Sequence, residues 1–189
     1  MLVARASPNS YATGFLVNRR WKHNIVGMQS GYRSCSINIA SRQGSSSVTC
    51  ISAHLPCMSN ASIDDYNNAL SQLSGLLPRG RRRRSTPTYI GMDANGVVGC
   101  NDGGHYDGTI GGCTVGNRDK CGQALLTWCQ ENFITLASTF SNDGCSITRI
   151  PDTEGATGRQ LDDVGVDSIT FQRHCYTLLD DTVHDFYCF

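Results

Sequence analysis

Asp93 and Asn95 close the run Thr88-Tyr-Ile-Gly-Met-Asp-Ala-Asn95, in which β-forming residues give way abruptly to polar ones. If the extended backbone persists, residues two apart share a face of the sheet, and Gly96 permits the turn that follows. A carboxylate there can accept from a nucleophilic or metal-bound water, and a carboxamide can aim its NH2 at a phosphate oxygen. The same two residue types also close strands as ordinary Asx turns, so the pair alone leaves both readings open.

Just upstream, Arg79-Gly-Arg-Arg-Arg-Arg84 carries five arginines in six residues. Arg81, Arg82, Arg83 and Arg84 could grip phosphates or act as a nuclear address, or simply keep a loop solvated.

The elements that must position these groups can be read from periodicity. Gly14 to Trp21 begins as a short apolar strand, and Ile37 to Ser41 and Ser47 to Ala53 follow at hairpin spacing around Gln43-Gly44-Ser45. Ile63, Tyr66, Ala69, Leu70, Leu73, Leu76 and Leu77 recur at helical spacing behind a capping Ser62, so a helix is predicted to end before Pro78. Pro87 suits the first residue of the strand that ends at Asp93. Val97 to Cys121 is rich in glycine and reads as a long surface loop, a kind of segment that usually has a task in a compact domain. Leu125, Leu126, Cys129 and Phe133 mark a second helix from Gly122 to Phe133. Ile134 to Phe140 then reads as a strand, as does Gln160 to Asp167, which embeds Asp162 and Asp163.

With 189 residues, 39% of them hydrophobic, the chain can bury one substantial core, and residues 1–189 are read as a single domain. Sixteen basic and sixteen acidic residues cancel, which gives no global pull toward nucleic acid but leaves room for local basic patches. The N-terminal apolar run is too short for a signal peptide, and nothing approaches a membrane-spanning length, so the expectation is an intracellular protein, nuclear or cytoplasmic, with no membrane partner. Ten cysteines lie scattered without paired C-x2-C knuckles, which argues against structural zinc and for reduced thiols, several buried as small hydrophobes.

Four islands stand in order along the chain: Ser52-Ala-His-Leu-Pro56; Gly91-Met-Asp-Ala-Asn95; Asn117 with Gly122-Gln-Ala-Leu-Leu-Thr-Trp-Cys129; and Arg159-Gln-Leu-Asp-Asp-Val-Gly-Val166. Together they resemble the endonuclease/exonuclease/phosphatase superfamily, with closest similarity to the endonuclease domains of non-LTR retrotransposons. The resemblance implies an α/β four-layer sandwich, two mixed sheets packed face to face with helices outside. It also implies Mg2+- or Mn2+-dependent phosphodiester hydrolysis, with DNA as the partner. Residue by residue, it makes Asp93 the acid that orients or deprotonates the attacking water, Asn95 and Asn117 phosphate-side amides, His54 a group near the phosphate, and Asp162 the late-strand acid. Hard Mg2+ takes oxygen ligands and keeps waters, so Asp93, Asn95 and Asp162 would be the ligand candidates.

The sequence departs from that pattern in three places. The family's early Glu, a principal metal ligand, has no counterpart, because Gly14-Phe-Leu-Val matches the strand that follows it; the domain is therefore expected to be incomplete at its N-terminus. The family's terminal Ser-Asp-His island reads His184-Asp185 here, in reversed order, so these two are a candidate catalytic histidine and metal-side acid on swapped faces. Position 163 carries a charge, Asp163, that must be solvated or paired. Two alternatives to an active nuclease follow: a non-catalytic fragment or binding module of the same fold, and a phosphatase of the same superfamily.

Overall fold

The computed structural model describes residues 2–5, 13–40, 47–80, 86–100, 104–112, 114–140, 147–148 and 158–172. Among them, eight strands and two α-helices run in the order β1 (Leu2–Arg5), β2 (Gly14–Leu16), β3 (Ile25–Ser30), β4 (Ser34–Ala40), β5 (Ser47–His54), α1 (Ile63–Ser74), β6 (Thr88–Asp93), α2 (Lys120–Glu131), β7 (Ile134–Leu136) and β8 (Asp162–Asp167). Six of the strands form one mixed sheet in the order β3-β4-β5-β6-β8-β7, and β1 pairs with β2 alone. The class is α/β.

Among the described strands only β5 and β6 pair in parallel, and the chain between them supplies α1, as a parallel crossover requires. Alternation sorts the sheet's faces. Ile51, Ala53, Ile90 and Met92 point one way and pack with Tyr66, Ala69, Leu70 and Leu73 of α1 and Leu125, Leu126 and Cys129 of α2. Burying about eight such large apolar side chains, at roughly 1.5–3 kcal/mol each, makes this layer the main source of cohesion. On the opposite face Val17, Cys35 and Ile37 form a smaller cluster with Phe15, Ile25 and Ile39, where the loop after β2 closes over β3 and β4. The second sheet therefore has two strands among the described residues, in place of the larger mixed sheet expected.

Both helices start where their caps dictate. Ser62 accepts from the Asp65 amide at 3.2 Å while Asp65 Oδ2 accepts from the Ser62 amide at 2.9 Å, a complete capping box. Asp119 caps α2 by accepting from the Gly122 amide at 2.7 Å, so α2 begins two residues before the expected Gly122. Gly122 is required there: a Cβ would sit 1.9 Å from the Val97 carbonyl oxygen, so the helix packs backbone to backbone against the segment that leaves β6.

Several expected boundaries shift. The stretch 14–21 begins as the expected short strand, which ends at Leu16, because Asn18 accepts from the Arg20 amide and starts a 3-10 helix over Arg19–Asn24. The strand expected over 134–140 stops at Leu136 and becomes a 3-10 helix over Ala137–Phe140. The segment after Asn95 is not purely a surface loop, since Val97, Val98, Tyr106 and Ile110 are buried in the main core. The edge strand β3 was not expected, its exposed Val26, Met28 and Gln29 giving no alternation to read.

Candidate active site at the ends of three strands

Strand register builds the site. His54 stands opposite Asp93 in the parallel β5–β6 pair, and Asp93 stands opposite Asp162 in the antiparallel β6–β8 pair. Residues directly opposite across a sheet share a face. His54, Asp93 and Asp162 consequently line up across three neighbouring strands, on the face away from α1 and α2, as their parity opposite Ala53 and Met92 requires.

The chain around Asp93 is held from both sides. The Leu55 amide donates to the Asp93 carbonyl at 2.9 Å, and the Ala94 amide donates to the Leu161 carbonyl at 2.7 Å. From below, the buried Tyr66 hydroxyl donates to the Ala94 carbonyl at 2.7 Å. Burial also pushes the Tyr66 hydroxyl well above its ordinary pKa, so it stays a neutral donor.

Asn95 departs from the expected extended alternation. The strand ends at Asp93, and Asn95 adopts φ +47°, a left-handed conformation that Asn tolerates better than most residues. Its amide N–H turns back onto Asp93 Oδ1 at 3.2 Å, and its Nδ2 donates to the Leu55 carbonyl at 2.9 Å. The turn still delivers Asn95 to the same cleft, with Oδ1 and one N–H of the carboxamide uncommitted by that bond. Asp93 Oδ2 faces His54 Nε2 at 3.5 Å, which is ion-pair reach but longer than a hydrogen bond. Both side chains are partly exposed, so the pair adds at most about 1 kcal/mol to stability and keeps both groups open to a substrate.

His54, Asp93 and Asn95 line an open cleft of about 300 Å³ together with Arg33, Cys57, Ser59, Asn60 and Ala61. Arg33 escaped the sequence reading: a single arginine before a strand carries no periodic or motif signal. Its carbonyl accepts from the His54 amide at 2.9 Å, which places it immediately beside the histidine. Asp162 is exposed at the adjoining strand position and does not line this cleft, and neither does Asn117, which is exposed on the loop before α2. Arg81, Arg82, Arg83, Arg84, His184 and Asp185 lie outside the described residues.

Asp163, one position on, belongs to the opposite face and is buried there. Ser138 Oγ and Gln160 Nε2 donate to its Oδ1 at 2.9 and 3.0 Å, so the charge flagged by the sequence is met by two hydrogen bonds. Burial nonetheless pushes its carboxyl up to about 6.

Among the described residues no group of three or more His, Cys, Asp or Glu side chains converges as a metal site. Mg2+ asks for less, since one or two carboxylates with waters and a substrate phosphate complete its shell. Asp93 and Asp162, side by side in register, are a donor set of that kind. The six described free cysteines include Cys35, Cys121 and Cys129 in the interior, where burial pushes each thiol up and Cys121 to about 11, so these three are inert packing groups. No described helix is long and apolar enough to cross a membrane.

No protein-family model and no curated protein matches this chain. Among solved structures it is similar to the endonuclease domain of TRAS1, a telomere-specific non-LTR retrotransposon, at 14% identity and a TM-score of 0.48, over 77% of this chain and 57% of that one. The chain thus spans somewhat more than half the length of that domain, and the reading of the site rests on its own residues.

Proposed function

We propose that this chain is a Mg2+-dependent phosphodiester hydrolase of the endonuclease type acting on DNA, built on the four-layer sandwich of the endonuclease/exonuclease/phosphatase superfamily. The observation that supports it best is the alignment of His54, Asp93 and Asp162 on adjacent strands, with Asn95 folded into the cleft that His54 and Asp93 line. Asp93, its Oδ1 engaged by the Asn95 amide, holds and deprotonates the attacking water through Oδ2. The uncommitted N–H of Asn95 and the imidazole of His54 meet the phosphate oxygens, and His54 is placed to hand a proton to the leaving oxygen. Asp93 and Asp162 would hold the Mg2+, which offsets the charge that develops on the phosphate.

The test is nicking of supercoiled plasmid by the purified chain with Mg2+, with and without EDTA. Asp93→Asn should abolish nicking while moving the unfolding free energy by less than about 1 kcal/mol, because the amide keeps an acceptor for the Asn95 N–H and the site is exposed. Nicking that survives in Asp93→Asn removes Asp93 from the chemistry, and nicking that survives in EDTA removes the metal.

A further inference from the structure

Three of the residues lining the cleft can carry charge: Asp93, His54 and Arg33. With a neutral imidazole and no guanidinium the lining would bear a net negative charge, and a phosphate would be repelled from the groups meant to act on it. Arg33 cancels that charge. It enters the cleft from the turn before β4, with its carbonyl bonded to the His54 amide at 2.9 Å, so guanidinium and imidazole arise side by side. One further contact restrains the side chain at the rim. Its Cζ lies 5.8 Å from the Tyr32 ring centroid.

We propose that Arg33 is the phosphate-binding and positioning residue of this cleft, its planar guanidinium taking two non-bridging oxygens of the phosphate while His54 and Asn95 face the reacting side. This rests on the phosphodiester reading above. A bidentate fork fixes both position and orientation of the phosphate, which a single ammonium cannot do. The contact forms on binding, so its loss should fall on KM more than on kcat.

Titration of the metal-free protein with inorganic phosphate, followed by the His54 ring protons in NMR, isolates binding from chemistry. Phosphate should shift those signals in the parent chain, and Arg33→Gln should weaken the effect roughly ten- to a hundredfold, the range for losing a charge-assisted bidentate contact. In the plasmid assay the same substitution should raise KM by a similar factor with kcat changed less than about threefold. Arg33→Lys keeps the charge and loses the fork, so it should recover only part of the affinity, and it stands in should Arg33→Gln fail to fold. A parent chain that nicks DNA while both variants keep its KM and its phosphate response overturns the role of Arg33 and leaves the hydrolase reading intact. A parent chain that neither nicks nor responds to phosphate overturns both.

Discussion

Asp162 and Asp163 are consecutive in β8 yet serve opposite faces of the sheet: Asp162 stands opposite Asp93 beside the cleft, and Asp163 opposite Met92 over the core. Strand alternation therefore leaves one carboxylate exposed beside Asp93 and buries the other. The buried one carries a cost that the exposed one does not, because the two hydrogen bonds from Ser138 and Gln160 only partly replace water.

That cost has a definite sign with pH. Burial raises the Asp163 carboxyl from 3.8 to about 6, so between those values the folded protein holds a proton that the unfolded chain has released. Stability should accordingly fall as pH rises from about 4 to about 6 and then level off, by up to about 3 kcal/mol for a shift of this size. Asp163→Asn keeps an acceptor for Ser138 and removes the charge, and should be more stable than the parent at pH 7 and flat across the window. Urea midpoints at pH 4.5 and 7 decide it. A variant that keeps the parent's slope would move the effect to another group.

Tyr66 joins the core to the site through one bond, from its hydroxyl to the Ala94 carbonyl between Asp93 and Asn95. Tyr66→Phe leaves that carbonyl buried and unpaired, which should cost about 1–3 kcal/mol. The segment should also relax, so nicking should fall although no group at the reacting centre has been removed. An unchanged unfolding midpoint in Tyr66→Phe would mean that another donor takes over.

Two glycines with opposite surroundings make a paired test. At Gly122 a methyl group would meet the Val97 backbone at 1.9 Å, whereas at Gly91 it would meet nothing within 4 Å. Gly122→Ala should therefore push α2 off the segment behind Asn95 and lower stability by about 1–3 kcal/mol or more, with loss of activity. Gly91→Ala, in the middle of β6, should be neutral or stabilising by up to about 1 kcal/mol. Equal midpoints for the two variants would show that the helix start can yield without cost.

What the sequence made legible follows physical range. Both helices, the capping role of Ser62 and the strand ending at Asp93 are set by residues within a turn or two, and they appear within a few residues of where the pattern places them. His54, Asp93 and Asp162 could be named singly, but that they align is a property of register across β5, β6 and β8, which no local pattern encodes. Asn95 was misjudged in conformation, because extended alternation gives no sign of the amide turning back onto Asp93. Arg33 was missed for the same reason that β3 was: neither lies in a periodic run, and each acquires its place only from the partner strand.

The arginine run supplies the last expectation, and it depends on charge alone. Arg81, Arg82, Arg83 and Arg84 lie outside the described residues, in the sequence between α1 and β6, and their charge alone would favour a phosphate backbone. Each arginine that meets a backbone phosphate releases a condensed counterion, and the affinity then falls linearly with salt on logarithmic axes. Replacing all four with Ser should lower that slope by about 3 to 4 if every one makes such a contact on duplex DNA. Fluorescence anisotropy of a labelled duplex in EDTA, measured across a range of NaCl concentrations, gives the slope without interference from cleavage. Arg33 lines the cleft as a single cation, so Arg33→Gln should take away at most about one unit of slope by the same rule. A quadruple variant with the parent's slope would return the run to a solvated loop and leave the cleft's own arginine as the principal phosphate contact.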